Sequence, residues 1–131
     1  MQISDPIDHF HHLFKRGNEV AVREYIATGA DVNARNKSSW TPLMLAALKG
    51  QTPIVCVLIS AGADVAAVND CGASALAYAA LNGHSKTIQA LLEAGAPLDV
   101  KPHGGTLLGF ASIGGASTQQ HIELLRAAGA L

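Results

Sequence analysis

Trp40-Thr41-Pro42-Leu43-Met44-Leu45-Ala46-Ala47-Leu48-Lys49-Gly50 is answered 33 residues later by Ala73-Ser74-Ala75-Leu76-Ala77-Tyr78-Ala79-Ala80-Leu81-Asn82-Gly83. A third version follows as Gly105-Thr106-Leu107-Leu108-Gly109-Phe110-Ala111-Ser112-Ile113-Gly114-Gly115. Each has a hydroxyl residue in second place (Thr41, Ser74 or Thr106), continues mainly through small and aliphatic residues, and closes on glycine. A hydroxyl at the N-cap accepts a hydrogen bond from a free amide of the first helical turn. Proline at the first helical position, as at Pro42, loses nothing by lacking an N–H. Glycine adopts the left-handed conformation that ends a helix, a place held by Gly17, Gly50, Gly83 and Gly115. The spacing therefore predicts one short helix per segment.

A second helix is expected after each of these glycines, starting near Asn18, Thr52-Pro53, Ser85 and Ser117-Thr118, read as capping residues. Ser117 and Gln120 have capping-box spacing. The apolar sets Val22/Tyr25/Ile26, Ile54/Val55/Leu58/Ile59, Ile88/Leu91/Leu92 and Ile122/Leu124/Leu125 recur at steps of three and four, which puts each set on one helical face. A Gly-Ala pair then ends the unit at Gly29-Ala30, Gly62-Ala63, Gly95-Ala96 and Gly129-Ala130, at steps of 33, 33 and 34. A fixed period of this length signals a stacked repeat, in which no unit buries its own apolar face and neighbouring units supply the core. The connectors Asp31 to Ser39, Asp64 to Gly72 and Asp99 to Gly105 carry turn-forming residues. Short extended pieces around Val32, Val65 and Leu98 are expected to pair as small hairpins.

Thr41-Pro42-Leu43, the Ala46-Ala47 and Ala79-Ala80 pairs, and Gly29-Ala30-Asp31-Val32-Asn33 resemble the ankyrin repeat. The resemblance covers nearly the whole chain and implies an all-α solenoid, a stack of helix-turn-helix pairs joined by short β-turn or hairpin loops. It implies a single repeat domain over residues 1–131, with repeats at about 5–36, 37–69, 70–102 and 103–131 and the first and last as caps. Several positions depart from the family pattern. Met44, Ala77 and Gly109 stand where the family usually has histidine, and Ala75 and Leu107 replace the proline of Pro42. Ser39 occupies the place of Gly72, so a left-handed backbone there is mildly strained. Segment four has two extra residues between Gly115 and Gly129 and one fewer in the turn before it.

Composition narrows the function. The 131 residues carry a formal charge of −1, with 15% charged residues and no basic stripe. A nucleic-acid binder needs such a stripe to displace counterions from phosphates. No apolar run reaches the ~18–20 residues that span a bilayer, and the start Met1-Gln2-Ile3-Ser4-Asp5-Pro6 lacks the basic-then-apolar pattern of a secretory signal. Cys56 and Cys71 match no metal or redox spacing. The expected home is the reducing cytoplasm.

Three features can carry chemistry, each with a plainer explanation. Asp5, Asp8, His9, His11 and His12 place carboxylate and imidazole at i,i+4 on an amino-terminal helix, a partial zinc set; acids near a helix start are also favoured by its dipole. Cys71 beside Asp70, one layer from His103, has the residue types of a cysteine–histidine nucleophile, or is an ordinary turn thiol. Cys56 reads as a small apolar packer. Gly104-Gly105, Gly109 and Gly114-Gly115 lack the strand, helix and lysine of a phosphate loop. The expectation is no enzyme, no metal and no cofactor, with a metal-dependent role at the histidine cluster as the opposing reading.

What remains is recognition of another protein. The resemblance implies a concave face of first helices and turn tips. Position by position, its contacts fall on Lys37, Ser38, Trp40, Leu48 and Lys49, then Asp70, Cys71, Ala73, Leu81 and Asn82, then His103, Ile113 and Gly114. An apolar centre with a polar edge is how interfaces are built. Trp40, the sole tryptophan, reads either as a hot-spot anchor worth about 2–4 kcal/mol of binding or as a ring folded over Pro42 or the next turn. Leu48 and Leu81 serve contact or inter-layer packing equally, and Arg35 and Lys37 read as solvated turn charges. A stoichiometric inhibitor covering the active site of an enzyme or toxin is the more specific alternative. The chain is expected to be a monomer. Gln119, Gln120, Glu123 and Arg126 give the last helix a polar face, whereas the uncharged run Leu107 to Ile113 leaves self-association through the carboxyl end open.

Overall fold

In the computed structural model the described residues are 14, 19–98, 102–105, 107, 109–110 and 120–129. They form six α-helices: α1 (Glu19–Ala27), α2 (Pro42–Lys49), α3 (Thr52–Ser60), α4 (Ala75–Leu81), α5 (Ser85–Glu93) and α6 (Gln120–Ala127), with a 3-10 turn at Pro102–Gly104. Phe14, Leu107, Gly109 and Phe110 are also helical. Helix α2 packs on α3 and on α4, α4 packs on α5, and α3 lies between α1 and α5, with α6 against α5. The first helices of segments two and three thus make one layer and the second helices the other.

The caps explain why the helices begin and end where they do. Thr41 and Ser74 are extended, and their hydroxyls accept from the N–H groups of Met44 and Ala77 at 3.3 Å. Gly50 ends α2 at φ 69°, and Gly83 follows α4 at φ 68°. An added Cβ on Gly50 would sit 2.4 Å from His84 Nδ1, so this glycine serves both conformation and close packing of the next segment. Helices α1, α3, α5 and α6 end before Gly29, Gly62, Gly95 and Gly129, all at positive φ.

The core runs continuously through the stack, because Leu43, Met44, Ile54, Leu58, Leu76, Ile88 and Leu91 are almost wholly buried. The alanine pairs Ala46-Ala47 and Ala79-Ala80 are buried too, and their small side chains let α2 and α4 approach closely. Met44 and Ala77 fill the place of the family's usual histidine as buried apolar residues.

Several expectations require correction. Val32 and Val65 lie in turns, not hairpin strands, and the Asp31 and Asp64 carboxylates close those turns on the N–H groups of Asn33 and Ala66. Leu98 lies in a bend. Pairing occurs further along, as a single antiparallel bridge between Val68 and Ser74 among the described residues. Thr52 and Ser85 are the first residues inside α3 and α5, with Gln51 and His84 preceding them and giving no side-chain cap. The Thr52 hydroxyl instead meets that of Thr87 at 2.8 Å, tying α3 to α5. Cys56 is exposed on α3 and is no core packer.

Hydrogen bonds with a separation close to the repeat length join successive segments. Asn33 donates to Gly62 C=O and accepts from Asp64 N–H, at 3.2 and 2.8 Å. The Arg35 guanidinium, exposed but not idle, donates to Val68 C=O at 3.1 Å. Leu48 C=O, at the end of α2, accepts from Asn82 Nδ2 at 2.8 Å and from His84 Nε2 at 3.1 Å. A carbonyl only accepts, so His84 Nε2 is the donor in this bond.

Candidate functional site

Two turns carry most of the expected contact residues, and they share one backbone design. In the turn of segment two, Asn36 Oδ1 accepts from Ser38 N–H and Trp40 N–H at 2.9 and 3.0 Å. Asn36 also exchanges backbone bonds with Ser39 and Trp40. In segment three, Asn69 Oδ1 accepts from Cys71 N–H and Ala73 N–H at 3.0 and 3.1 Å, with matching backbone bonds to Gly72 and Ala73. A short amide side chain folded onto the next amides fixes a turn without help from a strand partner. The left-handed residue is Ser39 at φ 63° in the first turn and Gly72 at φ 75° in the second. Ser38 C=O accepts from Asp70 N–H at 3.1 Å, which locks one tip to the next.

These braces hold four exposed side chains outward: Lys37 and Ser38 at the first tip, Asp70 and Cys71 at the second. Lys49 and Asn82 are exposed at the ends of α2 and α4, although the Asn82 amide is tied to Leu48 C=O. Leu48 and Leu81 are half-buried against the core, so inter-layer packing takes much of their surface. Trp40 is also half-buried, and its ring stacks on Tyr78 of the next segment, with centroids 4.4 Å apart and planes at 27°. It therefore packs on the following layer while keeping part of its surface open. Ala73 must be withdrawn from the contact strip: it is 0% exposed, and its N–H and C=O both close the Asn69 turn. His103 lies in the 3-10 turn, which replaces the braced design in segment four. The side chain of His103, together with Ile113 and Gly114, lies outside the described residues.

Asn36, Asn69 and Tyr78, none of them among the expected contact residues, shape the tips. Asn36 and Asn69 stand one period apart at the start of each turn, a signal available in the sequence. Tyr78 stands inside the repeated first-helix stretch, at a place held by Leu45 one period earlier. Its ring is 6% exposed between Trp40 and Phe110, and its hydroxyl accepts from Asn69 Nδ2 at 2.7 Å. Burial raises the Tyr78 phenol above its ordinary range, the Asn69 hydrogen bond pulls the other way, and Cys71 adds a smaller upward push.

Among the described residues no group of three or more His, Cys, Asp or Glu side chains gathers to hold a metal ion. The amino-terminal histidine cluster lies outside the described residues, as do Gly17, Asn18, Thr106, Gly115 and Ser117-Thr118. Among the described residues no helix is long and apolar enough to cross a membrane.

Comparison with known families agrees with the repeat geometry. A family model described as ankyrin repeats (many copies) matches residues 10–59 and 56–92, more than half of the chain. No curated protein matches the chain. The two matched stretches contain both Asn-braced turns and helices α1 to α4 entire, together with nearly all of α5. The chain belongs to the ankyrin-repeat family, whose repeats generally serve protein–protein interaction and are typically not enzymes.

Proposed function

We propose that this chain, as one stack of four repeats, binds a partner protein along the strip of turn tips and first-helix ends. The reading is supported above all by the two braced turns, which present Lys37, Ser38, Asp70 and Cys71 to solvent on backbone already fixed by its own hydrogen bonds. Binding to such a surface costs little ordering entropy, because the contact residues are held before the partner arrives. Lys49 and Asn82 extend the strip along the ends of α2 and α4, with the open part of Trp40 near its middle. Tips of opposite charge, Lys37 in one turn and Asp70 in the next, favour a partner that sets an acidic group against Lys37 and a basic group against Asp70. His103 and Ile113 would continue the strip into segment four. The two free, exposed thiols suit a reducing compartment such as the cytoplasm.

Affinity capture from native lysate tests this with a charge-swapped chain, Lys37→Glu with Asp70→Lys, as control. Both positions are exposed, so thermal unfolding should be unchanged within about 0.5 kcal/mol. A protein retained by the wild type and lost by the swapped chain supports the strip. Equal retention by both chains places binding elsewhere, and no specific protein at all removes the proposal.

A further inference from the structure

The geometry points to a mechanical link between the two neighbouring tips, with Tyr78 as the positioning residue that carries it. The functional meaning of the link rests on the tips being contact surface. Trp40 leaves the first turn and lays its ring on Tyr78, 4.4 Å between centroids. Phe110 meets the other part of the same phenol edge-on at 5.9 Å and 79°. Contacts of this kind are directional as well as apolar, so the two rings restrict how Tyr78 can turn. That restriction places its hydroxyl 2.7 Å from Asn69 Nδ2.

The Asn69 side chain is a rigid plane, and its two ends do different work. One end faces the N–H groups of Cys71 and Ala73, and only an oxygen satisfies both. The NH2 end therefore faces Tyr78, and the hydroxyl holds the amide in the one orientation that braces the second tip. At 5% exposure Asn69 has little water to replace that partner. A chain of contacts thus runs from Trp40 through Tyr78 and Asn69 to Cys71 and Ala73, and polar networks of this sort act as units. In segment two the place equivalent to Tyr78 is Leu45, which has no hydroxyl to offer Asn36. The hydroxyl that completes the link to the second tip therefore has no equivalent at the first. A partner that moves the half-buried Trp40 ring changes the order of the tip at Asp70 and Cys71.

Site-resolved amide exchange on the isotope-labelled full chain tests the link without any partner. In Tyr78→Phe, which keeps the ring and removes the hydroxyl, the Cys71 and Ala73 amides should exchange about 3- to 10-fold faster. The Ser38 and Trp40 amides, braced by Asn36, should stay within about twofold. Trp40→Leu, which removes the stacked ring, should accelerate the same two amides in segment three, by a smaller factor. Circular dichroism confirms that each variant is folded. Unchanged Cys71 and Ala73 rates in Tyr78→Phe overturn the proposal, and so does an equal rise at all four amides. If Trp40→Leu leaves both segment-three amides untouched, the connection from the first tip is overturned. A chain that captured no protein would not alter these rates, so the two readings fail separately.

Discussion

The turns at Asn36–Trp40 and Asn69–Ala73 have the same hydrogen bonds and different foundations. Each uses an asparagine oxygen to gather the amides two and four residues on. The first sets a serine at φ 63° where the second has a glycine at φ 75°, and its asparagine is half-buried with a leucine at the place of the tyrosine. The second has its asparagine buried against Tyr78. Local chemistry is enough to shape a turn, whereas its stiffness comes from what the next layer places behind it. In a repeat protein that second contribution varies from unit to unit even when the turns superimpose in pattern.

The largest effect should come from removing the support itself. Tyr78→Ala opens space between Trp40 and Phe110 and orphans the Asn69 amide, at a cost of about 3–5 kcal/mol. Leu45→Ala, at the equivalent but half-buried place, should cost roughly 1–2 kcal/mol. Urea unfolding of both variants measures the difference, and equal losses would break the comparison. Next come the braces. Asn69→Ala leaves two turn amides and a buried hydroxyl without their partner and should cost about 2–3 kcal/mol, against about 1 kcal/mol for Asn36→Ala. Asn69→Ala should also expose the second tip to limited proteolysis while sparing the first.

A reciprocal exchange sharpens the contrast further. Ser39→Gly relieves a left-handed residue with a Cβ and should stabilise the chain by about 0.5–1 kcal/mol, after the entropy of the added glycine is subtracted. Gly72→Ser should cost about 1 kcal/mol by the same reasoning reversed. Thermal unfolding reads both signs. Two shifts in the same direction would show that something other than backbone conformation separates the turns.

The period, the helix pairs and the first-helix caps could all be read from the residues, because each is a local rule repeated in phase. Thr41 and Ser74 cap as the pattern requires, and Gly50 and Gly83 close the same helices. Cys56 escaped that logic because α3, Thr-Pro-Ile-Val-Cys-Val-Leu-Ile-Ser, is apolar on nearly every side and its periodicity does not mark an outer face. Thr52 and Ser85 were misread because a hydroxyl before an apolar run looks like a cap whether it precedes the helix or opens it. Within the site, Lys37, Ser38, Asp70 and Cys71 lie exposed on the turns as expected, while Ala73 faces inward because the turn closes on its backbone. Trp40 could not be decided from sequence, since its partner Tyr78 is brought to it only by stacking. The Asn69–Tyr78 bond is hidden for the same reason: the two residues meet through the packing of a turn on a helix, not through spacing along either.

The smallest expected effect distinguishes the tips by pH. Desolvation holds the Tyr78 phenol above its ordinary value of 10.0, even though the Asn69 hydrogen bond opposes the shift. Below about pH 10 folded and unfolded chains both keep this proton, so the contribution of the buried phenol is fully present. Above that value the unfolded phenol ionises first, the folded state is left holding the extra proton, and stability falls as pH rises through the folded value. Urea unfolding between about pH 9 and pH 11 should therefore show a steeper alkaline loss for the wild type than for Tyr78→Phe. Asn69→Ala removes the opposing hydrogen bond, so ultraviolet titration of that variant should find the phenolate forming at still higher pH. Segment two has Leu45 in this place and contributes nothing to the difference. Parallel alkaline slopes for wild type and Tyr78→Phe would mean that water reaches the hydroxyl, and the second tip would then be no better supported than the first.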